Sequence, residues 1–339
     1  MTVNGLNLDR NAVLLLAALV LTVCAIVGFH ILHDEKIADA VAVIDITESM
    51  NTRDMGSPHG SEDRLAAARQ ALINMIPNLP CQSRLGLGIF TERLSFLLFE
   101  PIDICANYEA LVGAISGLDW RMAWQGDSYI YKGLYSAINL ASNLKANLIF
   151  LTDGHEAPPL PESGLPPFEG KKGVVGGLIV GVGGSEKTPI PKFDDEGHQI
   201  GVYGPQDVLQ ANRFGLPPTG AELRPGYNPR NAPFGAMPSG DEQLSSVKTE
   251  HLEDLASRTG LTYVELQHTG SLATPFLAAA HTRSIPVTIN LAFLPALLAL
   301  SIIVLAYARS FRSQFPKAAI RLQSLNRQLW ISHRSIFAW

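Results

Sequence analysis

Two uncharged apolar runs bracket the middle of this chain, and they limit its topology more than any other feature. Between Arg10 and Asp34 there is no formal charge, and between Arg283 and Arg309 lie 25 uncharged residues. A helix needs roughly 20 such residues to cross a bilayer. Both runs qualify, and transmembrane helices are expected over 12–32 and 285–308. A secretory signal peptide is the alternative for the first run, but no small-x-small cleavage site follows it at Phe29-His30-Ile31-Leu32.

Charge is sorted around these runs. The segment His33 to Ser284 holds 19 Lys/Arg against 30 Asp/Glu, a net of -11. Beyond the second run come Arg309, Arg312, Lys317, Arg321, Arg327 and Arg334, with no acidic residue. Cytoplasmic flanks collect Lys and Arg. The expected arrangement is a two-pass protein of a bacterial inner membrane. Residues 1–11 and the basic amphipathic tail 309–339 would be cytoplasmic, and the central part, 39–282, periplasmic. The net charge of the whole chain, -5, argues against a general nucleic-acid binder. The tail, with Trp330, Phe337 and Trp339 among its basic residues, reads as a helix lying on anionic lipid.

The central part alternates strands and helices. Ala40-Val41-Ala42-Val43-Ile44 is a continuous apolar run, as in a strand covered on both faces. Apolar residues at helical spacing follow over Glu62 to Ile76, then a hairpin of Leu85–Phe90 and Leu94–Phe99 around Thr91-Glu92-Arg93. Helices are expected over Asn107–Leu118, Ser128–Leu144 and Thr249–Arg258, and strands over Asn147–Thr152, Val174–Val182 and Leu261–Leu266. This alternation predicts an α/β fold with a mostly parallel sheet and one antiparallel edge hairpin. The stretch 184–247 breaks it with nine Gly and nine Pro in 64 residues and reads as a surface insertion, with a hairpin around Phe193–Ile200. The hairpin ends place Cys81 and Cys105 near one another, so a disulfide is expected, with two free thiols as the alternative.

Candidate chemistry collects at strand ends, where open α/β sheets bind ligands. Asp45-Ile46-Thr47-Glu48-Ser49 follows the first strand, Ser128 opens a helix, and Asp153 ends the strand before Gly154. Asp45, Thr47, Ser49, Ser128 and Asp153 supply two carboxylates and three hydroxyls. That donor set suits a hard cation, Mg²⁺ above all, with Ca²⁺ or Mn²⁺ as alternatives. It has no Cys or His, so zinc and copper are disfavoured. His155-Glu156 reads as a solvated loop, and Asp194-Asp195-Glu196 as a solvated hairpin tip. Trp120, Arg121 and Trp124 form a candidate partner-binding rim. Enzyme signatures are missing. Position 47 is Thr, not the second Asp of a haloacid-type phosphatase, and the sequence holds neither a P-loop nor a nucleophile elbow. A non-enzymatic role is expected.

These segments resemble the von Willebrand factor A domain and its metal-ion-dependent adhesion site. Asp45, Ser49 and Asp153 match that family's Asp-x-Ser-x-Ser…Thr…Asp pattern outright, while Thr47 and Ser128 keep the oxygen at the other two positions. The resemblance implies a Rossmann-like, doubly wound fold, and a cation whose shell is completed by a carboxylate of a partner protein. The flanking spans and Ile179-Val180-Gly181-Val182-Gly183 resemble membrane-anchored A-domain proteins of the Bat group, associated with MoxR-type AAA+ ATPases and with other such membrane proteins. Asp45 to Asn51 and the basic tail are similar to the Mxa group. This implies help with maturation of, or calcium insertion into, a periplasmic methanol (quinoprotein) dehydrogenase. A Bat-type envelope stress or assembly role, and a metal-independent docking protein, are the alternatives.

Overall fold

The computed structural model describes residues 2–3, 6–7, 10–28, 30–56, 62–123, 127–160, 164–205, 207–208, 223, 241–266, 271–309 and 311. Trp124, most of the basic tail, and 209–240 of the insertion apart from position 223 lie outside the described residues. The chain divides into two compact units, one of residues 1–35 with 286–339 and one of Lys36–Ile285.

The first unit contains helix α1, Arg10–Val27, long and apolar enough to cross a membrane by length and composition. Its Leu16, Leu19, Val23 and Ile26 side chains are exposed, a surface that suits lipid and not water. A shorter apolar helix covers Phe293–Arg309. Strands occupy the remaining ends of both expected spans: His30–Ile37 pairs with Arg283–Asn290 in a two-stranded sheet. The second of these carries Ile285, Val287, Thr288 and Ile289, β-branched residues whose stiff side chains favour extended backbone.

The second unit is built on six strands: β1 Asp39–Asp45, β2 Arg84–Thr91, β3 Leu94–Asp103, β4 Asn147–Thr152, β5 Gly177–Gly181 and β6 Thr262–Glu265. Their order is β6-β5-β4-β1-β2-β3. Every neighbouring pair is parallel except β2 with β3. This is the doubly wound, mostly parallel sheet with an antiparallel edge hairpin expected from the sequence.

Side chains alternate across β1 and sort the helices. Ala40, Ala42 and Ile44 share a core with Leu65 and Leu72 of α2 (Arg64–Met75), Leu111 and Ile115 of α3 (Tyr108–Ser116) and Phe276 of α6 (Ala273–Ala279). Val41 and Val43 face Ile130, Leu134 and Ile138 of α4 (Ile130–Asn143) and Leu252 and Leu255 of α5 (Thr249–Thr259). Both faces of β1 are covered, which is why its sequence is apolar without alternation. Gly260 ends α5 at φ 85°, the left-handed cap that glycine adopts without a Cβ penalty.

Cys81 and Cys105 are joined as a disulfide with their Cα atoms 5.5 Å apart, tying the start of β2 to the end of β3. Within the insertion, Pro191–Phe193 pairs with Gln199–Val202, so the expected hairpin forms. Its Asp194 accepts from the amide of His198 at 2.7 Å. Among the described elements without a counterpart in the sequence reading are the 3-10 turn Glu48–Asn51, helix α6, and the ribbon His30–Ile37 with Arg283–Asn290.

Candidate metal centre

From β1 the chain crosses to β2 on one side and later returns to β4 on the other. The sheet therefore reverses its winding between β1 and β4, and a crevice opens outside their carboxyl ends. Asp45 is the last residue of β1, and Asp153 follows the last residue of β4. The register Ile44↔Leu151 brings the two strand ends side by side. Both carboxylates are fully buried.

Asp45 is held on both oxygens. Its Oδ1 accepts from the backbone amide of Thr47 at 2.9 Å and from Thr47 Oγ1 at 2.7 Å. Its Oδ2 accepts from Thr152 Oγ1 at 2.6 Å. Burial and the neighbouring charge of Asp153 nevertheless push its carboxyl up to about 7, because two anions out of water repel each other strongly.

Asp153 moves the other way. Burial is the largest influence and would raise it, but the Arg64 guanidinium, His155 and the hydrogen bonds the carboxylate accepts together outweigh it and hold the carboxyl below its ordinary value. Arg64 opens α2 and is completely buried. Its Nη1 donates to Asp153 Oδ2 at 2.5 Å and to Ser245 Oγ at 2.7 Å, while Nε reaches Asp54 Oδ1 at 2.9 Å. Two carboxylates, Asp54 and Asp153, thus face one guanidinium, while Asp45 is held by two hydroxyls and an amide. With both partners of Arg64 ionised, one negative charge is uncompensated, and a second appears only as Asp45 loses its proton near pH 7.

Two hydroxyls complete the crevice. Ser49 Oγ and Ser128 Oγ are buried without a hydrogen bond of ordinary length, although Ser49 stands near enough to Asp153 to help hold its carboxyl down; a buried hydroxyl left unpaired costs about 1–3 kcal/mol. Ser128 does not cap α4, as its position before the helix would suggest. Glu156 does so instead: its two oxygens accept from the amides of Ile130 and Tyr131, both at 3.0 Å. A carboxylate at a helix N-terminus also complements the helix dipole. With that work done by Glu156, the Ser128 side chain stays free of the helix. Its backbone is fixed by reciprocal bonds with Ala157, 2.5 and 2.7 Å long.

Thr47, Ser49, Ser128, His155 and Glu156 line one small cleft of about 40 Å³, together with Glu48 and with Ile190, Tyr203, Val208 and Glu242 of the insertion. That volume admits one or a few waters or a small ion. Buried hydroxyls, carboxylates that outnumber the one buried guanidinium and an all-oxygen donor set fit a divalent hard cation. Asp45, Thr47, Ser49, Ser128 and Asp153 are the residues that would hold it. Among the described residues no group of three or more His, Cys, Asp or Glu is placed to hold a metal ion.

One sequence reading changes. His155-Glu156 is not a solvated loop: both residues are buried, Glu156 also meets His251 Nε2 at 3.0 Å, and burial pushes His155 down to about 4, leaving it neutral. Trp120, part of the expected rim, packs against the core and lies 5.2 Å from Phe193 between ring centroids. Arg121 is exposed and bound to Asp119. Sequence reasoning missed Arg64, Asp54 and Thr152. An arginine at a helix start signals nothing by itself, but Thr152, immediately before Asp153, could have been suspected.

Residues 40–155 match the family model for the von Willebrand factor type A domain. No curated protein matches the chain. Among solved structures, BatB from Bacteroides thetaiotaomicron is 16% identical, with a TM-score of 0.42 over 67% of this chain and 89% of that one. An aerotolerance-related membrane protein from Bacteroides fragilis is 14% identical, with a TM-score of 0.41 over 71% and 96%. A membrane-spanning protein from Vibrio fischeri is 19% identical, with a TM-score of 0.26 over 70% and 94%. Likeness at this level carries no argument about activity or partners.

Proposed function

We propose that the unit Lys36–Ile285 is a metal-dependent protein-binding module without catalytic activity. A divalent cation, Mg²⁺ or alternatively Ca²⁺ or Mn²⁺, is held by Asp45, Thr47, Ser49, Ser128 and Asp153. When bound, the ion supplies residual attraction for a third anion, a carboxylate from a client protein. The observation that carries this reading is the pair of buried hydroxyls, Ser49 Oγ and Ser128 Oγ, lining one cleft beside carboxylates that outnumber the one buried guanidinium.

The reading places the module in the bacterial periplasm, anchored by α1 and by the helix Phe293–Arg309, with the basic tail in the cytoplasm. Charge sorting and hydropathy support that orientation. The resemblance to the Mxa and Bat groups supports a maturation or assembly role. A periplasmic quinoprotein dehydrogenase is the client class to test first, with a MoxR-type ATPase as a cytoplasmic partner.

The test is a pull-down from membranes with the full-length protein, with and without EDTA, followed by mass spectrometry. Capture that is lost in EDTA and in an Asp45→Ala variant that still folds supports the reading. Undiminished capture in either condition overturns it. Recovery of envelope-assembly proteins in place of a dehydrogenase would favour the Bat-type alternative.

A further inference from the structure

The base of the insertion meets the site through one side chain. Gly184, its first residue, donates its amide to Asp54 Oδ2 at 2.9 Å. At its other end, Ser245 Oγ accepts from Arg64 Nη1 at 2.7 Å and donates to Asp153 Oδ2 at 3.2 Å. The two ends also bind each other: Thr188 pairs with Ser245, and the amide of Val247 donates to Gly184 O at 2.9 Å. The next amide, Lys248, donates to the backbone carbonyl of Asp153 at 2.9 Å. Gly183, just before the insertion, sits at φ +140°, and a Cβ there would lie 2.7 Å from Arg64 Nε. The guanidinium therefore needs glycine at this point to reach both carboxylates.

The bonding of Asp153 separates two tasks. Its Oδ2 is occupied by Arg64 and Ser245. Its Oδ1 accepts from the His155 amide at 2.9 Å and keeps a lone pair for another donor or an ion. One oxygen belongs to the insertion latch, and the other is available to the centre. The guanidinium fork, Nε and Nη2, grips Asp54, which fixes the plane of Arg64; its remaining Nη1, with Ser245 on the same oxygen, then limits how far the Asp153 carboxylate can turn.

We propose that Arg64 is a positioning residue that couples occupancy of the cation site to seating of the two ends of the insertion, Gly184–Tyr203 and Asp241–Val247, beside the cleft that a client must enter. The inference rests on the cation reading above. It adds that the insertion base, through Ile190 and Tyr203, is a gatepost of the client cleft whose order follows the ion. Coupling between sites is reciprocal, so a seated insertion also tightens ion binding.

The test uses the full-length protein in nanodiscs, with Mn²⁺ as the probe. Mn²⁺ binding is followed by electron paramagnetic resonance, and amide hydrogen exchange is read over Gly184–Tyr203 and Asp241–Lys248. In the wild type, Mn²⁺ should slow exchange of the Gly184, Val247 and Lys248 amides by at least about fivefold, the low end of inter-site coupling. Arg64→Lys keeps the charge but not the fork, and should bind Mn²⁺ yet lose that protection. Should Arg64→Lys fail to fold, Ser245→Ala cuts the same latch from the insertion side and should give the same loss. Unchanged exchange in a wild type that has bound Mn²⁺ overturns the coupling and leaves the cation reading standing. A wild type that binds no Mn²⁺ overturns both.

Discussion

Thr152 Oγ1 donates to Asp45 Oδ2 at 2.6 Å, so the last residue of one parallel strand fixes the last residue of its neighbour. The same hydroxyl accepts from the Gly154 amide at 3.0 Å, which shapes the turn that carries Asp153. One side chain thus sets the distance and the orientation of both carboxylates. Thr152→Val keeps the shape but removes a bond that holds the Asp45 carboxyl down. Asp45 should then hold its proton to higher pH, and ion affinity at pH 7 should fall. The domain should lose about 1–3 kcal/mol, because buried acceptors and an amide are left unpaired. Calorimetric ion titration and urea unfolding check the two parts separately.

Stability without metal should fall as pH rises. The Asp45 carboxyl is raised from an unfolded value of 3.8 to about 7. Between those values the native state binds a proton that the unfolded chain has released, so stability is full below about pH 4 and declines toward pH 7. Asp153 is shifted down and contributes in the opposite sense, with its loss at lower pH. The melting temperature of EDTA-treated protein should therefore drop from pH 5 to pH 8. With Mg²⁺ present the drop should disappear, since the ion replaces the proton. A flat profile in EDTA would count against the buried carboxylate pair.

Removal of a buried hydroxyl should have opposite effects on the two forms. Ser49→Ala or Ser128→Ala deletes a buried polar atom without a hydrogen bond of ordinary length. The metal-free protein should keep its melting temperature or gain slightly. Ion affinity should fall about tenfold or more, which corresponds to ~1.4 kcal/mol for one neutral oxygen ligand. Paired melting curves in EDTA and in Mg²⁺ read both signs in one experiment.

The disulfide closes a loop with a sequence separation of 24. Cys81→Ser with Cys105→Ser should cost about 3–4 kcal/mol by loop-closure entropy. The bridge is remote from the carboxyl ends of β1 and β4, so ion affinity measured at a temperature where the variant is folded should be unchanged. Chemical denaturation with and without reductant gives the stability difference directly.

Much of the architecture was legible in the chain itself. The unbroken apolar run Ala40–Ile44 announces a strand covered on both faces, because burial on each side leaves no place for polar alternation. The carboxyl ends of β1 and β4 were legible for the same reason, and with them Asp45 and Asp153, whereas β3 runs four residues past its expected end and β5 starts three residues late. Helix starts were less so: α2, α3 and α4 begin one or two residues later than the apolar spacing suggests, because helix ends are set by capping as well as periodicity. At α4 the cap is Glu156, which stands 26 positions from Ile130.

Local pattern determined which residues form strands and helices, and which oxygens stand at the strand ends, since periodicity and burial act on near neighbours. Tertiary structure decided the electrostatics of the site. Arg64 lies 89 positions from Asp153 and 181 from Ser245, separations that no spacing rule connects. Only the winding of the sheet brings a helix start, two strand ends and the edges of the insertion into one buried space. There the low dielectric makes each charge depend on all the others.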